Sequence, residues 1–189
     1  MQEWREMPLA SAELLPHSAS PCGAIRRFDA AIEIAATPDE LRISFRIDGA
    51  IERLRLPEPG SAVRMDGLWH HSCFEAFLKT DASDAYHEFN FASSGDWAAY
   101  RFAARREGRR SPAMPAPRTE FRRTAEVFEL NAGIPLAALP ELARSRVLEA
   151  GIAAVIEEQD GQLSYWALAH RMVQPDFHDP GTFRLRVMR

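Results

Sequence analysis

The sequence predicts an all-β protein, an antiparallel β-sandwich of two packed sheets with one or two short helical turns. Three observations predict it. Short runs of alternating apolar and polar residues recur, as in LRISFRIDG and YHEFNFA, and a period of two marks a half-buried strand. Gly, Pro, Asp, Asn and Ser punctuate these runs at short intervals, which is the chemistry of turns. Almost nothing carries the longer apolar period of an amphipathic helix. Many short strands with so little helix pack as two sheets of roughly four to six strands each. A closed barrel is the alternative.

Taken in order, the chain opens with a polar segment that ends in Pro-punctuated coil before Gly23. A strand is expected at Ala31–Ala35. Leu41, Ile43, Phe45 and Ile47 alternate with Arg42, Ser44 and Arg46 and predict a second. IERLRLPEPG is shorter and is stopped by Pro57 and Pro59. SAVRMDGLWHHS is a loop. Cys73–Lys79, Tyr86–Ala92 and Trp97–Phe102 are three consecutive neighbouring strands, joined by TDASDA and by a tight Ser-Ser-Gly-Asp turn. RFAARREGRR, Arg101–Arg110, reads as a solvated basic hairpin. SPAMPAPR is a Pro-rich connector. A strand at Ala125–Asn131 leads to a short helical turn that Pro135 suits as a start. LPELARSRVLEAGI holds a further partial helix. Gly151–Glu158 is an apolar strand closed by a DGQ turn. LSYWALAH and TFRLRVM are the last strands, separated by the irregular RMVQPDFHDPG.

The bulk properties set limits. A length of 189 residues predicts a single domain over residues 1–189 with a sizeable core. Hydrophobic and charged contents of 46% and 26% are those of a soluble globular protein. A net charge of −4 gives no electrostatic footprint for nucleic acid. No window is long and apolar enough for a membrane span, and the N-terminus lacks the pattern of a signal peptide. Cys22 and Cys73 read as two reduced thiols rather than a disulfide framework. A cytoplasmic location is expected.

The central three strands carry the candidate site. Sorted by parity, Phe74, Ala76, Leu78, Phe89, Phe91, Ala98, Tyr100 and Phe102 form an apolar face. Cys73, Glu75, Phe77, Tyr86, Glu88, Asn90, Trp97, Ala99 and Arg101 form the other. Carboxylates, an amide, a guanidinium and flat rings on one face suit a polar small molecule such as a saccharide. The expected ligand-binding set is Glu75, Glu88, Asn90, Trp97 and Arg101, with Trp69 and Trp166 at the edges. Rings give a sugar a wide apolar platform, and the polar groups take its hydroxyls. Bland readings stand beside these. Trp97 and Trp166 are equally well core aromatics. Glu75 and Glu88 are equally well partners of Arg101 in a buried ion pair. A third reading gives the two carboxylates acid–base work on a glycosidic bond.

No catalytic, metal or cofactor motif is present. The six histidines lack zinc-site spacing. His178 in PDFHDPG reads as a loop residue that hydrogen-bonds backbone carbonyls. Asp81 and Asp84 lack the spacing of a calcium loop. A haem site needs a Met/His pair, for which Met65 or Met172 would supply the sulfur.

Four segments carry a family resemblance, in family order. They are LWHHSCFEAFL, YHEFNFASSGDWAAYRF, VFELNAGIPLAAL and YWALAHRMVQPDFHDPGTFRLRV. Together they resemble the DOMON-like superfamily, in particular the family-nine carbohydrate-binding modules and their small bacterial relatives, over roughly residues 40 to 189. The resemblance implies a β-sandwich that binds sugar on a concave face or loop rim, with tryptophan rings stacking on the pyranose. Other branches of the superfamily imply haem held between a Met and a His.

Overall fold

The computed structural model describes residues 10–35, 39–60 and 62–188. Expectations for residues 1–9 lie outside the described residues. The strands are β1 (Ala10–Glu13), β2 (Leu15–Pro16), β3 (Ile25–Ala35), β4 (Glu40–Gly49), β5 (Cys73–Thr80) and β6 (Tyr86–Phe91). They continue as β7 (Trp97–Phe102), β8 (Arg118–Arg123), β9 (Val127–Pro135), β10 (Val147–Glu157), β11 (Leu163–Ala167) and β12 (Leu185–Met188). One short helix, α1 (Pro140–Arg144), and a few 3₁₀ turns complete the described residues. The antiparallel β-sandwich follows directly from this order. A five-stranded sheet runs β1-β3-β4-β9-β8, and a seven-stranded sheet runs β2-β11-β10-β5-β6-β7, with β12 also on β10.

The central strands are built from the residues that most favour a covered sheet. Phe74, Ala76, Leu78, Phe89 and Phe91 of β5 and β6 face the other sheet, where Ile43, Phe45, Phe128 and Leu130 meet them. Phe74 sits at the centre, 5.4 Å from the stacked ring of Phe128 and 5.2 Å from that of Phe45. Each such side chain contributes about 1.5–3 kcal/mol by leaving water. The outer face of the five-stranded sheet differs. It carries exposed pairs such as Arg27 with Asp29 and Arg46 with Asp48 and Glu129, which is the usual dress of a solvated face.

The outer face of the seven-stranded sheet is not solvated in that way. Phe77, Tyr86, Tyr100, Phe102 and Phe183 form a second cluster there. β10 is buried along nearly its whole length, because both of its faces are covered. Gly151 is required on the outer face: a Cβ there would lie 2.4 Å from the ring of Phe183. That ring stacks 5.8 Å from Phe77, the cross-strand partner of Gly151. The contact draws the chain after β11 down onto the sheet.

Several expected boundaries shift. β3 and β10 begin earlier than expected, at Ile25 and Val147. The partial helix in LPELARSRVLEAGI ends at Arg144, and Val147–Ala150 is strand, paired with β12. β1, β2 and β8 lie in segments read as coil, connector or turn. Each is a short or charged edge strand, with too few inward side chains to show a period.

The correction that matters most concerns β7. Trp97 stands opposite Phe91, and Ala99 opposite Phe89. Directly paired residues share a face, so Trp97, Ala99 and Arg101 turn inward with the apolar set. Ala98, Tyr100 and Phe102 turn outward with Glu75 and Glu88. The connection over residues 92–96 fixes this register, and a one-residue slip inverts every side chain of a strand.

Candidate functional site

A cleft of about 540 Å³ opens on the outer face of the seven-stranded sheet, within the usual range of small-molecule sites. Its floor crosses five strands. Tyr165 of β11 pairs with Val155 of β10, Glu75 of β5 and Glu88 of β6 follow, and Tyr100 of β7 stands opposite Glu88. Three loops raise the walls. The loop before β5 brings Trp69, the hairpin after β7 brings Arg106 and Arg109, and the loop after β11 brings Phe177 and His178.

Local sequence positions each wall. Gly67 adopts a left-handed φ of 83°, which only glycine enters freely, and releases the Leu68–His70 turn. Asp66 beside it accepts the Tyr100 hydroxyl hydrogen. Trp69 is thereby held 6.1 Å from the Tyr100 ring. Across the sheet, Tyr165 and Phe177 lie 6.2 Å apart. Asp179 caps the turn that follows by accepting the Gly181 N–H at 3.0 Å.

The two carboxyl groups of the floor have unequal surroundings. Glu88, 4% exposed, accepts the Asn90 amide at 2.8 Å through Oε1, and its Oε2 faces His178 Nε2 at 3.6 Å. The Tyr86 hydroxyl accepts the Arg106 N–H at 3.1 Å. The same hydroxyl lies 2.7 Å from His178 Nδ1. Glu75 is also 4% exposed, and among the described residues it has no hydrogen-bond or ion-pair partner. Burial pushes its pKa well above the ordinary value, Glu88 adds to the rise and Arg106 opposes it. Burial also raises Glu88, against the Asn90 amide. Burial lowers His178 to about 4, helped by Arg106, so its ring is neutral near pH 7.

The expected site residues divide. Trp69, Glu75 and Glu88 line the cleft. Asn90 lies beneath it, fully buried, donating to Glu88 while its own Oδ1 finds no partner. Trp97, Arg101 and Trp166 do not reach it. Trp97 belongs to the inter-sheet core and takes Arg64 over its ring at 5.0 Å. Trp166 packs 5.6 Å from Phe28 and donates its indole N–H to Ser164. Arg101 reaches Glu141 of α1 at 3.1 Å, beside His87, instead of the Glu75–Glu88 pair. The core reading of the two tryptophans therefore replaces the binding one, and the ion-pair reading of the carboxylates is replaced by the unequal pair.

Residues missed by sequence reasoning complete the cleft: Tyr100, Arg106, Arg109, Tyr165, Phe177 and His178. The alternation of LSYWALAH carried a signal for Tyr165, since Trp166 and Tyr165 must face oppositely. His178 meets side chains, Tyr86 and Glu88, instead of backbone carbonyls. Neither Met65 nor Met172 lines the cleft, and the described residues hold no cluster of three or more metal-ligating side chains.

Comparison with known proteins adds to the fold. No family model matches the chain, and no curated protein does. Among solved structures, a presumed carbohydrate-binding protein from Bacteroides uniformis is similar over 96% of this chain and 86% of its own, with a TM-score of 0.63 and 16% identity. A family-nine carbohydrate-binding module from Caldicellulosiruptor kristjanssonii, in complex with cellotriose, aligns over 91% of this chain and 83% of its own, with a TM-score of 0.47 and 11% identity. The same kind of module with glucose gives 0.46 and 10%, over 91% and 85%. At such identities the likeness is one of fold: this chain has the β-sandwich of the Bacteroides protein.

Proposed function

We propose that this protein is a non-catalytic binding domain of the DOMON-like, family-nine kind, taking a saccharide or a similar polar small molecule in the cleft on the seven-stranded sheet. One observation carries the reading. Glu75, 4% exposed and without a hydrogen-bond or ion-pair partner among the described residues, lines a ring-walled cleft open to solvent. Buried polar groups in folded proteins are hydrogen-bonded, and a ligand rich in hydroxyls supplies what the protein does not. Trp69, Tyr100, Tyr165 and Phe177 offer apolar faces for a pyranose ring. The description of the Bacteroides protein as a carbohydrate binder agrees with this reading.

Calorimetry over a panel of mono- and oligosaccharides tests it. At least one should bind, and Trp69→Ala should weaken that binding by about 1–3 kcal/mol with the fold intact. No heat from any of them would end the saccharide reading.

The unequal carboxyl pair also favours a second reading. Burial raises both carboxyls, Glu75 well above its ordinary value, while the Asn90 amide holds Glu88 down, and an acid–base pair needs such unlike partners. Release of an aryl alcohol from aryl glycosides, lost in Glu75→Gln, would establish glycoside processing in place of simple binding.

A further inference from the structure

The basic hairpin noted in the sequence overhangs one side of the cleft. It carries Arg105, Arg106, Arg109 and Arg110; Asp176 in the loop after β11 pairs with the first two, and the floor carboxyl of Glu88 feels the charges of Arg106 and Arg109. The chain as a whole has a net charge of −4, so this rim opposes the sign of the molecule. Arg105 and Arg106 share the single carboxylate of Asp176. Arg109 lines the cleft and makes no hydrogen bond or ion pair among the described residues. Its guanidinium carbon lies 5.1 Å from the centre of the Tyr100 ring. A guanidinium over a ring keeps its hydrogen-bonding edge free, and that planar edge matches a carboxylate in two parallel hydrogen bonds.

Resting on the reading of the cleft as a saccharide site, we propose that its ligand is acidic, a uronic sugar whose carboxylate pairs with Arg109. The sugar ring lies against the aromatic walls, and its hydroxyls reach Glu75 and Glu88 on the floor. Repulsion between floor and ligand is limited for two reasons. The Asn90 amide donates to Glu88, and His178 Nε2 lies 3.6 Å from its other oxygen. Burial and the neighbouring Glu88 shift Glu75 toward its neutral form. A neutral sugar offers the guanidinium edge of Arg109 no carboxylate to pair with, whereas a uronic acid does.

Calorimetry with glucose, glucuronic acid and its methyl ester, and with the matching galactose series, tests the proposal. The uronic acid should bind about tenfold or more tightly than the neutral sugar and the ester. The preference should shrink between ~20 mM and ~500 mM salt, as screening of a rim charge requires. Arg109→Gln should bring the acid down to the affinity of its ester. Arg122→Gln, on exposed β8 of the other sheet, should leave the preference in place. Equal binding of acid, ester and neutral sugar would overturn the acidic ligand while the saccharide site stands. A preference that survives Arg109→Gln would overturn the role of Arg109. No binding by any sugar, acid or neutral, would overturn both readings together.

Discussion

Glu75 shows what a buried carboxyl group does to the protein around it. Its folded pKa lies above its ordinary value because burial penalises the charge and Glu88 stands beside it. A carboxyl group raised in this way binds its proton more tightly folded than unfolded, so stability falls as pH climbs from the ordinary value toward the folded one. The histidines His87, His170 and His178 are shifted down, by burial first. Their effect has the opposite sign, and is complete once pH exceeds their ordinary 6.5. Followed by urea unfolding from pH 4.5 upward, wild-type stability should therefore fall with pH relative to a protein that lacks this ionisable group. Glu75→Gln, which cannot ionise, should flatten that fall. Parallel curves for the two proteins would show that Glu75 is not the source.

At the scale of elements, β7 decides which tryptophan does what. Trp97 faces Phe91 inside the sandwich, so Trp97→Ala should open a cavity and lower the unfolding free energy by about 3–5 kcal/mol. A loss below about 1 kcal/mol, with binding destroyed, would restore the outward reading. The three central strands were legible because alternation within a strand is a local property. Their bounds, Cys73–Thr80, Tyr86–Phe91 and Trp97–Phe102, differ from expectation only at a terminal residue. Parity across a hairpin is not local. It depends on how many residues the turn spends, and the turn at residues 92–96 moved Trp97 and Arg101 to the inner side. The two carboxylates and Trp69 were legible because β5 and β6 keep their phase. Arg109, Phe177 and His178 were not, because loops carry no period and meet the sheet only through tertiary contacts. Phe89, buried and opposite Ala76, should lose about 3–5 kcal/mol on truncation to Ala, measured by the same urea unfolding.

Over the whole molecule, the two sheets are finished differently. The five-stranded sheet meets solvent through paired arginines and acids, and such exposed pairs contribute little each. The seven-stranded sheet is roofed at its edges by three loops from distant parts of the chain, and the cleft lies among them. Asp176 joins two of these. Its carboxylate receives Arg105 and, at 2.9 Å, Arg106 from the hairpin after β7, while it sits in the loop after β11. The His178 N–H closes back on the same carboxylate at 3.1 Å. One side chain thus ties segments 70 residues apart in sequence. Their motions are consequently shared: neither rim can swing outward without carrying the other or breaking the tie. In hydrogen exchange, amides around 104–109 and 176–182 should open with similar free energies and respond together to a bound ligand. Asp176→Ala should separate the two rates, with the hairpin opening faster, while the β5 and β6 amides beneath keep theirs. The cleft would then breathe through one unit built from two loops, clasped at its lip by the Asp176 carboxylate and beneath it by the Tyr86 hydroxyl.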